Sequence, residues 1–128
     1  MCKRISRSLA LLCTTFTLLF AQGTTLTLQP DGSLDYDSPD SAIGGWQFNH
    51  NGCVAAASGG ASEEAGFLIQ ASGSVVIAFS MSGASILAGS GTLVELSGDG
   101  LAYECLSNLI VSSDSGIGLD VTYEEGFD

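Results

Sequence analysis

The stretch IGGWQFNHNGC, residues 43–53, holds the only tryptophan of the chain, and its reading decides the fold. As a strand it places Trp46 and Phe48 on one face and Gln47 on the other, because side chains alternate across a pleated backbone. Two large aromatics side by side on one pleat mark the central core strand of a β protein. Gly44 and Gly45 open this strand, and Cys53 closes the stretch. Upstream, Leu26 and Leu28 alternate with Thr25, Thr27 and Gln29. Leu34 and Tyr36 then alternate with Asp35 and Asp37 beyond a Pro30-Asp31-Gly32 turn, which predicts an opening hairpin.

Downstream, a short strand is predicted within 53–57, then about one helical turn over 61–66 with Ser62 as its N-cap and Glu63 and Glu64 where the helix dipole favours anions. Phe67 and Ile69 alternate with Leu68 and Gln70. In the next strand Val75, Ile77, Phe79 and Met81 are expected to form the core face, with the smaller Val76, Ala78 and Ser80 on the other side. Strands follow over 92–96 and 103–112, the second buried on both sides or entered through an irregular turn. Leu119, Val121 and Tyr123 mark a last strand. Eight or nine short strands separated by turn residues predict an all-β fold, a single antiparallel β-sandwich.

Lys3, Arg4 and Arg7 precede an apolar run over 9–20, the pattern of a cleaved secretory signal peptide. Ala21 and Gly23 supply small residues for a cut before Thr24, so 1–23 reads as signal and 24–128 as the domain. The run falls short of the roughly 20 residues of a stable membrane span. Leu12 before Cys13 argues against a lipoprotein anchor. All three basic residues lie inside this segment and all fourteen Asp and Glu lie outside it. A secreted, extracellular domain without Lys or Arg excludes nucleic acid as a partner and is repelled by anionic membranes. Cys53 and Cys105 remain after cleavage, and an even pair in an oxidising compartment predicts a disulfide, with two buried free thiols as the alternative.

IGGWQFNHNG followed by GFLIQASGSVVIAFSMSGASILAGSGTLVEL resembles the cohesin-like sandwich domains of secreted proteins. Ile43, Gly45, Trp46, Gln47 and Phe48 match the first element of that pattern. Residues 75–80, with Phe79, match the second, and Ile86, Gly89, Gly91, Thr92 and Leu93 the third. The resemblance implies a nine-stranded jelly roll related to carbohydrate-binding modules, with core positions at these signature residues. The chain is shorter than a full cohesin, which implies that one or two edge strands are trimmed. The resemblance also implies a non-catalytic module that docks an extracellular protein, dockerin-like or a matrix component; no binding residue is carried over.

Catalysis finds little material. His50 is the only histidine and no spacing supplies a nucleophile and an orienting acid around it, so it reads as a turn residue. Glu63 and Glu64 are adjacent and point apart, unlike the facing pair of a glycosidase, so a secreted hydrolase is the remote alternative. No cofactor is expected. Calcium is the one open metal, through Asp31, Asp35, Asp37 and Asp40, although these lack EF-hand spacing and also read as a solvated face blunting a sheet edge. The second binding class is a polysaccharide ligand, which needs exposed aromatics, and an exposed Trp46 would favour it.

Overall fold

The segments around Trp46 extend because each carries apolar side chains at every second position, which only a pleated backbone turns to one side. The computed structural model describes residues 23–126, so the apolar run read as a signal peptide, Cys2, Cys13, Phe127 and Asp128 lie outside the described residues. The strands are β1 (Gly23–Leu28), β2 (Ser33–Ser38), β3 (Ile43–His50), β4 (Ala56–Ser58), β5 (Leu68–Ala71), β6 (Val75–Phe79), β7 (Gly89–Ser97), β8 (Leu106–Ser113) and β9 (Asp120–Glu125). A short helix, α1 (Gly60–Glu64), and a 3₁₀ turn (Tyr103–Cys105) complete the elements among the described residues. Two sheets stack, one in the order β4-β7-β2-β1-β9 and the other β5-β6-β3-β8. All nine strands of the jelly roll are therefore present, and the expected trimming of edge strands does not occur.

The opening hairpin forms as β1 and β2, with Leu26, Leu28, Leu34 and Tyr36 buried. One pairing departs from the antiparallel expectation: β9 runs parallel to β1, Gly23 beside Asp120 through Leu28 beside Glu125. It crosses over from β8 in the other sheet, so no hairpin ties its direction to β1. Tyr123 of β9 stacks on Tyr103 at 4.3 Å between ring centroids. Each of the two hydroxyls donates to the other residue's backbone carbonyl, at 3.1 and 2.8 Å. This clasp ties the last strand to the turn that leads into β8.

The core centres on β3, where Trp46 and Phe48 stack nearly parallel with centroids 5.8 Å apart. Ile43, Trp46, Phe48, His50 and Leu93 are all buried, while Gln47 is only half-buried. The expectation for β6 is reversed. Val76 and Ala78 are buried, whereas Phe79 is 37% exposed and Met81 lies wholly outside the core. The cause is cross-strand volume: Trp46 pairs with Ala78 and Phe48 with Val76, so the two aromatics leave room inward only for small partners. Phe79, a core signature position by resemblance, pairs instead with Gly45 and faces out. Gly91, another core signature position by resemblance, is exposed as well, and the Tyr36 ring lies 3.5 Å from where a side chain on it would begin.

Ser62 also departs from its expected role as a cap. It is fully buried within α1, accepts a hydrogen bond from Trp46 Nε1 at 2.8 Å and donates to the Leu93 carbonyl at 2.7 Å. Leu93 is free to accept because β7 bulges against β2: Leu34 pairs with Val94 and Asp35 with Thr92, which leaves Leu93 between them. The N-cap is Gly59, whose N–H donates to Glu63 Oε1 at 2.8 Å. At the other end of the core a disulfide joins Cys53 to Cys105, as the cysteine count predicts.

Candidate functional site

The sequence names three places for chemistry, and the structure takes each in turn. His50 is buried at the end of β3. Its Nδ1 accepts from the backbone N–H of Gly52 at 3.0 Å and of Val54 at 3.4 Å, so the proton sits on Nε2, which donates to the Ser72 carbonyl at 2.8 Å. Both nitrogens hold the disulfide-bearing loop against the β5–β6 turn, which makes the residue a brace.

The four aspartates of the opening hairpin are not brought together. Asp31 lies in the β1–β2 turn, where the Ser33 backbone N–H holds its carboxyl below the usual range. Asp35 accepts from Gln29 Nε2 and Thr92 Oγ1, at 3.1 and 3.0 Å. Asp37 and Asp40 are exposed further along. Among the described residues no group of three or more His, Cys, Asp or Glu side chains is arranged to hold a metal ion. Asp31 and Asp40 flank β2 on opposite sides, and an extended strand separates them by about 3.3 Å per residue.

Trp46 is 4% exposed, so it offers no platform for a sugar. Tyr36 is buried, with burial pushing its phenol up, and Tyr103 and Tyr123 are spent on one another. An open cleft of about 560 Å³ lies beside the β1–β2 turn, lined by Gln29, Asp31, Leu101, Tyr103, Glu125 and others. It contains no histidine or cysteine and no stacked aromatic row.

What remains is the outer face of the four-stranded sheet. Across it run two rows set by the pairing register: Leu68, Phe79, Gly45 and Ser112, then Gln70, Ile77, Gln47 and Ile110. Leu68, Phe79 and Ile110 are 41%, 37% and 44% exposed. At the centre Gly45 has no side chain to fill the space between Phe79 and Ser112, and a notch of about 160 Å³ opens over it, walled by Ile77, Phe79 and Ile110. Irregular pairing borders the notch on both sides: β3 shifts register between Ile43 and Gly45, and against β8 between Gln47 and Asn49, where Asn108 takes a φ of 53°. Bulges of this kind re-aim side chains, and the second turns Ile110 outward.

The face is also set apart by charge. β3, β5, β6 and β8 contain no Asp, Glu, Lys or Arg, whereas the five-stranded sheet carries Asp35, Asp37, Glu95, Asp120, Glu124 and Glu125 within its strands. The remaining large exposed apolar residues, Met81, Leu87 and Ile117, sit on loops at the end where β3 begins: Ile43 bridges Ile86, and Ser113 both pairs with Ile43 and is bonded by its N–H to the Ile117 carbonyl. Sequence reading misses this surface because it assigns Ile77 and Phe79 to the core. A signal was present in the strand over 75–79, which is apolar on both faces and so has apolar side chains to spare for the outside.

The described chain is thus a two-sheet sandwich whose exposed feature is a sheet face. Its fold is cohesin-like. It superposes on a non-cellulosomal cohesin from the hyperthermophilic archaeon Archaeoglobus fulgidus with a TM-score of 0.52, at 15% identity over 80% of this chain and 86% of that one. A chain of the CaDoc0917–CaCohA2 complex gives a TM-score of 0.48 at 12% identity, over 81% of this chain and 94% of the other, and adds nothing to that assignment. No family model matches the sequence, and no curated protein does. Among the described residues no helix is long and apolar enough to cross a membrane.

Proposed function

We propose that this protein is a secreted, non-catalytic docking module that binds an extracellular protein, dockerin-like or a matrix component, through the outer face of its four-stranded sheet. The observation that carries the reading is the partition of charge. In a chain of net charge −11, one whole sheet face is left without a charged side chain and exposes Leu68, Phe79 and Ile110. Interface centres are depleted of charge in this way, and contiguous exposed apolar surface on a soluble protein marks contact sites. The cohesin-like fold agrees with the reading, and export with removal of residues 1–23 puts the Cys53–Cys105 disulfide in an oxidising compartment. Polysaccharide binding loses its main support with Trp46 inside.

The test immobilises the processed, oxidised protein and a Phe79→Glu/Ile110→Ser variant, and exposes both to the extracellular medium of the source organism. One protein recovered in fixed stoichiometry by the parent and lost by the variant supports docking through this face. Equal recovery by both, or recovery of polysaccharide alone, overturns it. Intact mass of the exported protein checks the processing, with a chain beginning at Thr24 expected.

A further inference from the structure

We infer that Asn51 is a site of self-modification, at which the Gly52 backbone nitrogen displaces ammonia from the Asn51 carboxamide with His50 as the built-in base. The inference is independent of the docking face. Asn51 and Gly52 are exposed in the bend that follows β3. The Asn51 backbone N–H donates to the Cys105 carbonyl at 3.2 Å, while its carboxamide makes no hydrogen bond to any described residue. Gly52 has a φ of 104° and nothing within 4 Å of where a side chain would begin. Neither a side chain of its own nor a neighbour therefore crowds the carboxamide on that flank.

What sets the site apart is the acceptor of the Gly52 N–H, which is His50 Nδ1 at 3.0 Å, the reach of a general base. Nε2–H of the same ring donates to the Ser72 carbonyl at 2.8 Å. That bond keeps the lone pair on Nδ1 and steadies the imidazolium once the proton arrives. Asn49, two residues earlier, supplies the contrast, since the N–H that follows it donates to the Ser74 carbonyl at 2.9 Å. A carbonyl only shields an amide proton, whereas an imidazole lone pair can take it.

In the reaction the Gly52 nitrogen bonds to Asn51 Cγ as its proton passes to His50 Nδ1. The tetrahedral centre then breaks its bond to the side-chain nitrogen, which takes that proton and leaves as ammonia. A five-membered succinimide remains, and water opens it at one of two carbonyls to give aspartate or, by attack at the backbone carbonyl, isoaspartate. Either product puts a carboxylate within residues 41–62, which otherwise hold no Asp, Glu, Lys or Arg. The succinimide also removes the Gly52 N–H from the brace and leaves His50 Nδ1 only the longer bond from Val54, at 3.4 Å. Isoaspartate adds a methylene to the main chain between that brace and Cys53.

The test keeps the processed, oxidised protein at physiological temperature and neutral pH, beside a reduced sample unfolded in guanidinium chloride. Peptic digestion in acid, which preserves the succinimide, is followed by mass and by separation of the aspartate and isoaspartate forms. Conversion is expected at Asn51 and not at Asn49 or Asn108, about tenfold or more faster in the folded protein than in the unfolded chain. A His50→Gln variant should fall to the unfolded rate or below, with its unfolding midpoint measured to show that the fold persists. Conversion in the folded parent that is equal to or slower than in the unfolded chain overturns the inference, whether or not the variant folds. So does a folded His50→Gln protein that converts as fast as the parent.

Discussion

Replacing Ser62 with alanine tests how the core is closed. The Ser62 hydroxyl is fully buried and joins Trp46 Nε1 to the carbonyl of Leu93, which the β7 bulge leaves unpaired on β2. Ser62→Ala strands one donor and one acceptor in the core, each at about 1–3 kcal/mol, so a loss of about 3 kcal/mol is expected. For a domain of this size that corresponds to a fall of roughly 12 °C in Tm. In a Trp46→Phe background the indole N–H is already gone, and the same substitution should cost only the Leu93 share, about 1.5 kcal/mol. The four proteins of the cycle are unfolded in guanidinium chloride and followed by far-ultraviolet circular dichroism, since two of them lack tryptophan. A coupling of about 1–2 kcal/mol between the positions is the expected result. A loss below about 1 kcal/mol in the parent background, or equal losses in both, would refute the buried relay.

Three further outcomes follow from the packing. Val76→Ala should cost about 2 kcal/mol and Phe79→Ala distinctly less although it removes more atoms, because only Val76 faces the core; equal losses measured in denaturant would restore the reversed assignment of β6. The disulfide spans a sequence separation of 52, so the double Cys53→Ala/Cys105→Ala variant should lose about 4 kcal/mol in the chain-entropy account, read from the denaturation midpoint. Burial raises the Tyr123 phenol well above its ordinary value of 10.0, with Tyr103, Glu104 and Glu125 adding to the effect. The unfolded chain therefore releases that proton first, and stability present below pH 10 should decline as pH rises beyond it; Tyr123→Phe should flatten the decline, and a parent protein whose stability is level above pH 10 would contradict the clasp.

Much of this protein could be read before any tertiary contact was known. Leu26, Leu28, Leu34 and Tyr36 alternate with polar residues, so each has one inward face and no choice about it, and the strands they form are where the pattern places them. Trp46 and Phe48 have no outward alternative on an eight-residue strand of this kind, and the two cysteines of 24–128 have only each other. Those statements depend on one strand, or on one pair of atoms, at a time.

The tertiary structure decided whatever depends on a partner strand. The segment over 75–79 is apolar on both sides, and its inward face is chosen by volume across the ladder, where Trp46 stands beside Ala78 and Phe48 beside Val76. Only once that choice is made does Phe79 turn out beside Gly45 and the notch exist. Ser62 becomes part of the core because a bulge in β7, the strand that α1 packs against, frees the Leu93 carbonyl, and β9 joins β1 in parallel because it arrives from the opposite sheet. The uncharged face has the same origin: four strands without charge are scattered along the sequence, and they become one surface only through the order β5-β6-β3-β8. Alternation in a chain records which side of a strand is buried when one side is polar; where both sides are apolar, the neighbours' volumes make the choice.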